Sequence, residues 1–240
     1  MDIKPLMHYL PVIIIITVGG FLSILAKKLT IAGAITGVVI AALIFIGSGY
    51  AGIVMLAAFF IFGTIATSWK KQKKIQLKPP NDQSTKRKAG QVFANGGVVA
   101  ITGLLAFILP IHAELLRLMM ATSLASAMAD TLSSELGMVY GRRFYNIITR
   151  KRDTKGLDGV ISLEGTLIGI VGSVLIATIY AIGFGWNVSF LYIIIAGTIG
   201  NLSDSVLGAL FERRHYIGND MVNFLNTFIA ALAALLFITF

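Results

Sequence analysis

Long apolar runs alternate with short polar segments along almost the whole chain. A transmembrane helix needs about 20 consecutive apolar residues, and eight runs approach or exceed that length. Two of them, the fifth and the seventh, contain acidic residues, so a count of seven spans is the alternative. The pattern predicts an all-α fold, a polytopic transmembrane helical bundle. The predicted spans are Tyr9–Ala26, Leu29–Ser48, Ala51–Trp69, Val92–Leu109, Glu114–Leu136, Ser162–Phe184, Ser189–Leu210 and Met221–Phe240.

The basic residues are concentrated in alternate connections, each of which follows an odd-numbered span. Loops on the cytoplasmic side of a membrane carry an excess of Lys and Arg. The alternation therefore predicts that these connections are cytoplasmic and that both termini lie outside. The basic connections are Lys27 and Lys28, the segment Lys70–Lys88, the segment Gly141–Lys155, and the pair Arg213 and Arg214.

The segment Lys70–Lys88 also contains Pro79 and Pro80, which are typical of an irregular loop. We predict that it divides the chain into two parts of one integrated membrane domain. Residues 1–90 form three N-terminal spans with the basic loop, and residues 91–240 form a five-span catalytic part that carries the polar motifs.

The composition agrees with a membrane protein. The chain has 240 residues, of which 56% are hydrophobic and only 13% are charged. A soluble domain carries about 25% charged residues. The absence of cysteine excludes disulfides, thiolate catalysis and Cys-zinc sites. The net charge of +9 comes from clustered residues, which indicate topology and lipid-phosphate contacts, so we expect no nucleic-acid partner.

The N-terminal apolar run is interpreted as a retained first span. No strongly basic region precedes it, and no small-residue cleavage site follows it. An Arg- and Ser-rich transit region is also missing from this sequence. We therefore expect an integral multi-pass protein of a prokaryotic inner membrane.

Acidic residues inside apolar runs are costly in a bilayer and usually face a cavity or a partner. Asp130 and Ser134 are four residues apart, so they share one face of a helix. Glu135 lies about 140° from Asp130 around an ideal helix. The two acids can reach one site only if the helix is distorted or if the site surrounds the end of the helix.

The segment Lys155–Thr166 contains a second group of polar residues. Gly156 and Gly159 flank Leu157 and Asp158, which predicts a tight turn. Ser162 is a candidate N-cap for the sixth span, and Glu164 lies in its first turn. A helix start presents free backbone NH groups, which favour an anion such as phosphate.

The last two spans carry further polar residues. Asn201 and Asp204 are three apart and share a helix face. The residues Asn219, Asn223 and Asn226 recur at helical spacing with Asp220 beside them, which predicts an inward-facing stripe. On the fourth span, Asn95 and Gly96 interrupt the apolar run near its predicted cytoplasmic end.

These polar residues fall at one depth of the predicted bundle. Hard oxygen ligands suit magnesium, which proteins usually hold with one or two carboxylates and substrate phosphates. Basic loops suit phosphate, and a surrounding bilayer suits a lipid substrate, so the set suggests phosphoryl chemistry on a lipid head group. Interhelical hydrogen bonding and an ion or proton pathway remain alternatives. Asn95, Glu135, Glu164, Asp220 and Asn223 lie near the predicted cytoplasmic ends, and Asp130 and Asp204 lie one to two turns deeper.

The order of these motifs between Gln91 and Thr227 resembles one family of multi-span membrane proteins. That family includes the plant phytyl-phosphate kinase of the vitamin E pathway and its prokaryotic homologues. The motifs are Asn95-Gly96-Gly97, Ala129–Gly137, Asp158–Thr166, and Asp204–Ala209 followed by Asn219–Phe224. The resemblance implies a helical polytopic fold. It also implies conversion of an isoprenyl monophosphate, such as phytyl, geranylgeranyl or farnesyl phosphate, to the diphosphate with a nucleoside triphosphate such as CTP.

The sequence contains no P-loop and no protein-kinase signature, so a kinase activity would use a different site. With the resemblance, we assign hypothetical roles as follows. The catalytic residues are Asp130, Glu135, Asp204, Arg142 and Arg143. The magnesium ligands are Asp130, Glu135, Asp204 and Asp220. The substrate- and nucleotide-binding residues are Asn95, Gly96, Ser134, Lys155, Asp158, Gly159, Ser162, Glu164, Asn201 and Asn223.

The chain departs from the family pattern in three places, one of which is Arg152-Asp153-Thr154-Lys155, where the family often has Pro-rich sequence. The family often has Asn-Gly-Gly where this chain has Leu157-Asp158-Gly159, and often an apolar residue where it has Glu164. These extra acids could change the nucleotide or metal preference. The alternative functions are a CTP-dependent lipid-phosphate cytidylyltransferase, a lipid-phosphate or ion transporter, and a non-catalytic membrane scaffold.

Overall fold

The computed structural model describes residues 4–75 and 86–238, and most of these lie in α-helices. A 3-10 turn at Pro110–His112 leads into α5, and a π-helical turn at Gly208–Glu212 extends α7. The predicted all-α membrane bundle is confirmed. The helices are α1 (Lys4–Leu25), α2 (Ile31–Ser68), α3 (Lys71–Ile75), α4 (Ala89–Ile108), α5 (Ala113–Tyr140), α6 (Leu163–Phe184), α7 (Ser189–Leu207) and α8 (Asn219–Ile238).

Helix α2 is a hairpin of two antiparallel arms. Its backbone is non-helical at Gly49, with φ 64° and ψ −150°, which only glycine adopts readily. A straight helix of this length would span roughly 57 Å. Instead Lys28, just before α2, donates from Nζ to Ser68 Oγ at its end over 2.9 Å. The arms correspond to the second and third predicted spans.

Five helices among the described residues are long and apolar enough to cross a membrane, namely α2, α4, α6, α7 with its π turn, and α8. Apolar residues 9–25 of α1 form a shorter stretch. Large apolar side chains such as Phe21, Ile35, Phe107 and Ile182 point outward, as expected where lipid covers the surface. The exact number of spans stays a prediction, as does the division at residue 90.

Helix α5 is the centre of the bundle and packs against α2, α4, α6, α7 and α8. Its middle, from Leu118 to Ala129, is almost completely buried and consists largely of Ala, Ser, Thr and Met. Small residues let neighbouring membrane helices approach closely. Because this helix faces other helices, it needs less hydrophobicity than a lipid-facing span, which explains its weak apolar pattern.

The connections that the sequence predicts to be cytoplasmic meet at one end of the bundle. The backbone of Arg87, just before α4, donates to Lys28 O over 2.9 Å. Trp69 Nε1, at the end of α2, donates to the hydroxyl of Tyr140 at the end of α5 over 2.9 Å. These connections therefore lie at the same end of the bundle, as predicted. The side of the membrane that this end faces stays a prediction. Residues 76–85 of the predicted basic loop, and residues 239–240 of the predicted last span, lie outside the described residues.

The connection between α5 and α6 contains a short antiparallel hairpin, of which the sequence predicted the turn at Leu157 and Asp158 but not the two strands. Strand β1 (Tyr145–Asn146) pairs with β2 (Val160–Ile161). The turn glycines Gly156 and Gly159 have φ of 87° and 75°. Gly159 packs so closely on Ala209 of the π turn that a Cβ would collide with it. The hairpin therefore packs against the C-terminal end of α7. In the predicted topology, this end lies on the cytoplasmic side.

Candidate functional site

A cavity of about 870 Å³ opens at the end of the bundle where the basic connections meet. The residues that line it belong to α2, to helices α4 to α8 and to the connection that contains β1 and β2. It brings together ten of the residues that we predicted to form the site. These are Asn95, Asp130, Ser134, Glu135, Asp158, Gly159, Ser162, Asn201, Asp204 and Asn223.

Two carboxylates that line the cavity, Asp130 on α5 and Asp204 on α7, form an acid pair. Their side chains lie within hydrogen-bonding contact of each other. Asn226 Nδ2 on α8 donates to Asp204 Oδ2 over 2.6 Å, and its own Oδ1 accepts from Ser126 Oγ over 3.1 Å. Two neighbouring carboxylates remain stable only if they share a proton or a cation. The acid pair is therefore a candidate cation site.

Asn201 lies one turn before Asp204 and is fixed by α5. Ser133 Oγ donates to Asn201 Oδ1 over 2.9 Å. Gly169 of α6 lies directly beside the amide, because a Cβ there would be 2.6 Å from Asn201 Nδ2. The glycine thus lets α6 approach, and the three helices hold the amide at the cavity surface.

The cavity lining also includes two cations, Lys28 and Arg87, which we call the cationic wall. A parallel bridge between Leu29 and Arg87 aligns the two backbone segments. The guanidinium of Arg87 lies 5.7 Å from the ring centroid of Phe59 and next to Gly63. Burial lowers the pKa of Arg87 from its ordinary value, while the negative charge of Glu135 raises it. A partly buried cation facing a cavity favours an anion there.

Glu135 faces the cavity but also holds a buried lysine. Lys74 Nζ of α3 donates to Glu135 Oε2 over 2.5 Å. The same ammonium donates to Ala66 O over 2.7 Å and to Thr67 O over 2.9 Å, at the C-terminal end of α2. One oxygen of Glu135 is therefore engaged by a cation of the protein itself.

Ser162 begins α6 as predicted. Its Oγ accepts from Gly165 N over 3.1 Å, which is the N-cap bond that the sequence indicated. Gly137 of α5 packs against Gly165, where a Cβ on the former would lie 3.0 Å from Cα of the latter. The close packing of small residues places the N-terminus of α6 beside the acid-bearing turn of α5.

Six predicted site residues do not line the cavity. Gly96 packs instead against α2, since a Cβ there would be 2.9 Å from Ile40 Cδ1. Asp220 is exposed at the start of α8 and lies against Gly90. Neighbouring residues on the same helices, Asn95 and Asn223, line the cavity instead.

The other four lie in the α5–α6 connection and in the first turn of α6. Arg142 and Arg143 are exposed, and the backbone N of Arg142 donates to Glu164 Oε2 over 3.3 Å. Lys155 lies with Nζ 5.7 Å from the ring centroid of Phe144, a residue that does line the cavity. The roles assigned to these four residues remain predictions, because none of the four lines the cavity itself.

Sequence reasoning missed the cationic wall and Lys74. We interpreted Lys28, Lys74 and Arg87 as topology determinants because they belong to lysine-rich connections. The only local sequence feature that could have pointed to Arg87 is its position eight residues before Asn95. Sequence reasoning also missed Glu212, which lines the cavity and acts electrostatically on Asp130. This residue lies in the π turn, a helical irregularity that often occurs at functional sites.

Residues 14–231 match the family "Integral membrane protein DUF92", and the chain belongs to that family. It is 34% identical to "Uncharacterized membrane protein MJ0933" of Methanocaldococcus jannaschii over 78% of this chain and 76% of that protein. It is 29% identical to "Protein VTE6, chloroplastic" of Arabidopsis thaliana over 78% of this chain. That alignment covers 59% of the Arabidopsis protein.

A cyanobacterial relative, "Uncharacterized membrane protein sll0875" of Synechocystis, is 27% identical over 82% of this chain and 78% of its own length. No solved structure matches the chain. Membership of the family and the long apolar helices of this chain establish that it is an integral membrane protein.

Proposed function

We propose that this protein is a prenyl-phosphate kinase that transfers a phosphoryl group from a nucleoside triphosphate, preferably CTP, to an isoprenyl monophosphate. The observation that carries the proposal is the pairing, in one cavity, of the acid pair (Asp130 and Asp204) with the cationic wall (Lys28 and Arg87). Kinship with the Arabidopsis protein and the resemblance of the motifs to a family with a plant phytyl-phosphate kinase support the same activity.

The residues of the acid pair are compatible with magnesium. Among residues 4–75 and 86–238, no group of three His, Cys, Asp or Glu side chains converges to hold a metal ion. Magnesium, however, is usually bound by one or two carboxylates together with waters and substrate phosphates. Asp130 and Asp204 would hold it, and the ion would neutralise negative charge on the phosphates.

The proposed reaction needs little covalent assistance from the protein. An oxygen of the prenyl monophosphate attacks the γ-phosphorus, a new P–O bond forms, and the bond to the β–γ bridging oxygen breaks. The nucleoside diphosphate leaves with that oxygen. The attacking phosphate is already ionised at neutral pH, so positioning and charge neutralisation dominate.

The side chains around the cavity would divide this work. Arg87 and Lys28 would bind phosphate oxygens, since a guanidinium can bind them with two parallel hydrogen bonds. Asn201 and Asn223, which also line the cavity, would orient the phosphates. The apolar tail, whether phytyl, geranylgeranyl or farnesyl, would remain between helices or in lipid.

The experiment uses the purified protein in detergent with magnesium, labelled CTP or ATP, and each of the three prenyl monophosphates. We expect diphosphate and CDP. Formation of a CDP-lipid and pyrophosphate would instead establish the cytidylyltransferase, and transport without nucleotide turnover would establish a transporter. If no diphosphate forms with any lipid and either nucleotide, the kinase proposal fails.

A matched pair of variants ties the activity to this cavity. Arg87→Gln removes the charge that faces the cavity, so we expect at least a tenfold loss of catalytic efficiency. Lys88→Gln removes the next charge along the chain, which is exposed and does not line the cavity. Equal activity in the two variants would show that the reaction does not use the cationic wall.

A further inference from the structure

A second cavity, of about 240 Å³, lies at the other end of the bundle from the candidate site. Its lining includes residues 45–49 at the turn of α2, Phe107 of α4 and Arg117 of α5. The hydrogen bond between Lys28 and Ser68 joins the two arms of α2 beside the larger cavity, so the turn marks the opposite end. Within the described part of the chain, the two cavities share no lining residue.

Arg117 supplies a positive charge to the second cavity, and two contacts hold its guanidinium. Nε donates to Gly47 O over 2.8 Å, two residues before the break in α2 at Gly49. The guanidinium carbon also lies 5.6 Å from the ring centroid of Phe184, the last residue of α6. The side chain thus joins α5 to α2 and α6, and a cation–π contact of this kind helps to hold it in place.

Most of the hydrogen-bonding capacity of Arg117 is still available. Arginine has five N–H donors, of which Gly47 O takes one. Among residues 4–75 and 86–238, the four donors on Nη1 and Nη2 have no acceptor. Glu114, one turn earlier on α5, is exposed and does not form an ion pair with Arg117 within these ranges. The cavity therefore favours a ligand with two anionic oxygens, because the planar fork of a guanidinium matches phosphate.

The surroundings of Arg117 indicate the source of such a phosphate. Ile46 and Phe107 line the cavity and have exposed side chains, as expected at a surface that lipid covers. Tyr50 and Trp186 are also exposed at this end of the bundle. Tyr and Trp concentrate at the level of the head groups in a bilayer. Arg117 therefore lies at the depth of lipid phosphates, beside side chains that face the acyl chains.

We propose that the second cavity binds the phosphate of a phospholipid head group. In this arrangement, Nη1 and Nη2 of Arg117 donate to two phosphate oxygens, and the acyl chains lie along Ile46 and Phe107. In the predicted topology the lipid belongs to the outer leaflet, whereas the larger cavity faces the cytoplasm. The proposal goes beyond the proposed function and does not depend on it.

The test counts the lipids bound to the full-length protein by native mass spectrometry, after titration in detergent with dioleoyl phosphatidylglycerol. Dioleoylglycerol has the same acyl chains without the phosphate, and it should bind about tenfold more weakly or worse. Arg117→Gln should weaken the binding of phosphatidylglycerol by about tenfold or more, because hydrogen bonds between charged groups are lost. Arg214→Gln removes an exposed cation that lines neither cavity, and this control should bind as wild type does.

Two further variants locate the lipid and keep the test decisive. Phe107→Glu leaves the bond between Arg117 and Gly47 in place and adds a negative charge at the cavity, so it should weaken binding to a similar extent. It covers the case in which Arg117→Gln fails to fold. Arg87→Gln removes a cation from the larger cavity, and the loss caused by Arg117→Gln should be the same with and without it, because the two sites are separate.

Inorganic phosphate, titrated by calorimetry, separates the two sources of the phosphate group. Lipid binding that depends on Arg117, with weak binding of inorganic phosphate, supports the head group. Inorganic phosphate that binds through Arg117 as tightly as the lipid would overturn the lipid as ligand and leave a site for phosphate from solution. Equal binding of dioleoylglycerol, wild-type binding by Arg117→Gln or Phe107→Glu, or a loss that disappears in the Arg87→Gln background would overturn the proposal.

Discussion

Asn226 Nδ2 donates to Asp204 Oδ2 over 2.6 Å, and this bond joins α8 to α7 beside the cavity. Asn226 is completely buried, and its Oδ1 accepts from Ser126 of α5. The chain of bonds therefore crosses three helices and fixes the direction of one carboxylate of the acid pair. Asn226 does not line the cavity itself, but it orients Asp204, which does.

Asn226→Ala should lower diphosphate formation by about 10- to 100-fold, the usual effect of removing a group that orients a metal-binding residue. The steady-state rate with magnesium and CTP is the measurement. Ser203→Ala is the control, because Ser203 donates only to Ile199 O of its own helix over 2.8 Å. Equal rates in the two variants would contradict the orienting role.

Asp204→Asn should separate stability from activity. The rate should fall by about 10²- to 10³-fold, because a charge that stabilises the transition state is lost. The midpoint of thermal unfolding in EDTA should stay the same or rise, because two carboxylates in contact repel each other. Asp153→Asn, at an acid outside the cavity lining, should retain the rate. A lower midpoint of unfolding together with full activity would contradict the proposed role of Asp130 and Asp204 as the metal-binding acid pair.

The ion pair between Asp153 and Arg213 predicts a pH dependence in the α5–α6 connection. Arg213 Nη1 donates to Asp153 Oδ2 over 2.6 Å and lowers the pKa of that carboxyl from its ordinary value. A lowered pKa in the folded state means that the stabilisation is present above the ordinary pKa and is lost as the pH falls through the lowered one.

Hydrogen exchange of residues 151–157 measures this effect in wild type and Asp153→Asn. The variant should exchange faster at pH 6, and the difference should disappear as the pH falls below about 4. A difference that is the same at all pH values would show that the pair does not hold the connection.

Gly103→Ala should destabilise the contact between α4 and α2. A Cβ at Gly103 would lie 2.7 Å from Leu43 O and 3.1 Å from Ile44 Cα. Overpacking of this kind costs about 1–3 kcal/mol, and the midpoint of thermal unfolding should fall accordingly. Gly19→Ala is the matched control, since no atom lies within 4 Å of its Cβ position. Unchanged melting of the Gly103 variant would contradict the packing.

The sequence determined the helices and ten of the residues that line the cavity. Apolar runs predict helices because the helical hydrogen bonds are local and each run must satisfy its own backbone in lipid. Asp130 and Asp204 were identified because an acidic side chain in an apolar run is costly and usually faces a cavity or a partner. The N-cap at Ser162 depends only on its neighbours, so it too was predicted correctly.

The tertiary structure decided which charges meet. Lys28, Lys74 and Arg87 look alike in sequence, as members of basic connections. The folding back of α2 at Gly49 brings Lys28 to Ser68 at the other end of this helix, and Lys74, which follows it, contacts Glu135 of α5. The same packing left Gly96 against Ile40, although its neighbour Asn95 faces the cavity. Helix formation depends on nearby residues, whereas the partners of a side chain depend on how distant helices pack, and that information is not carried by any single segment.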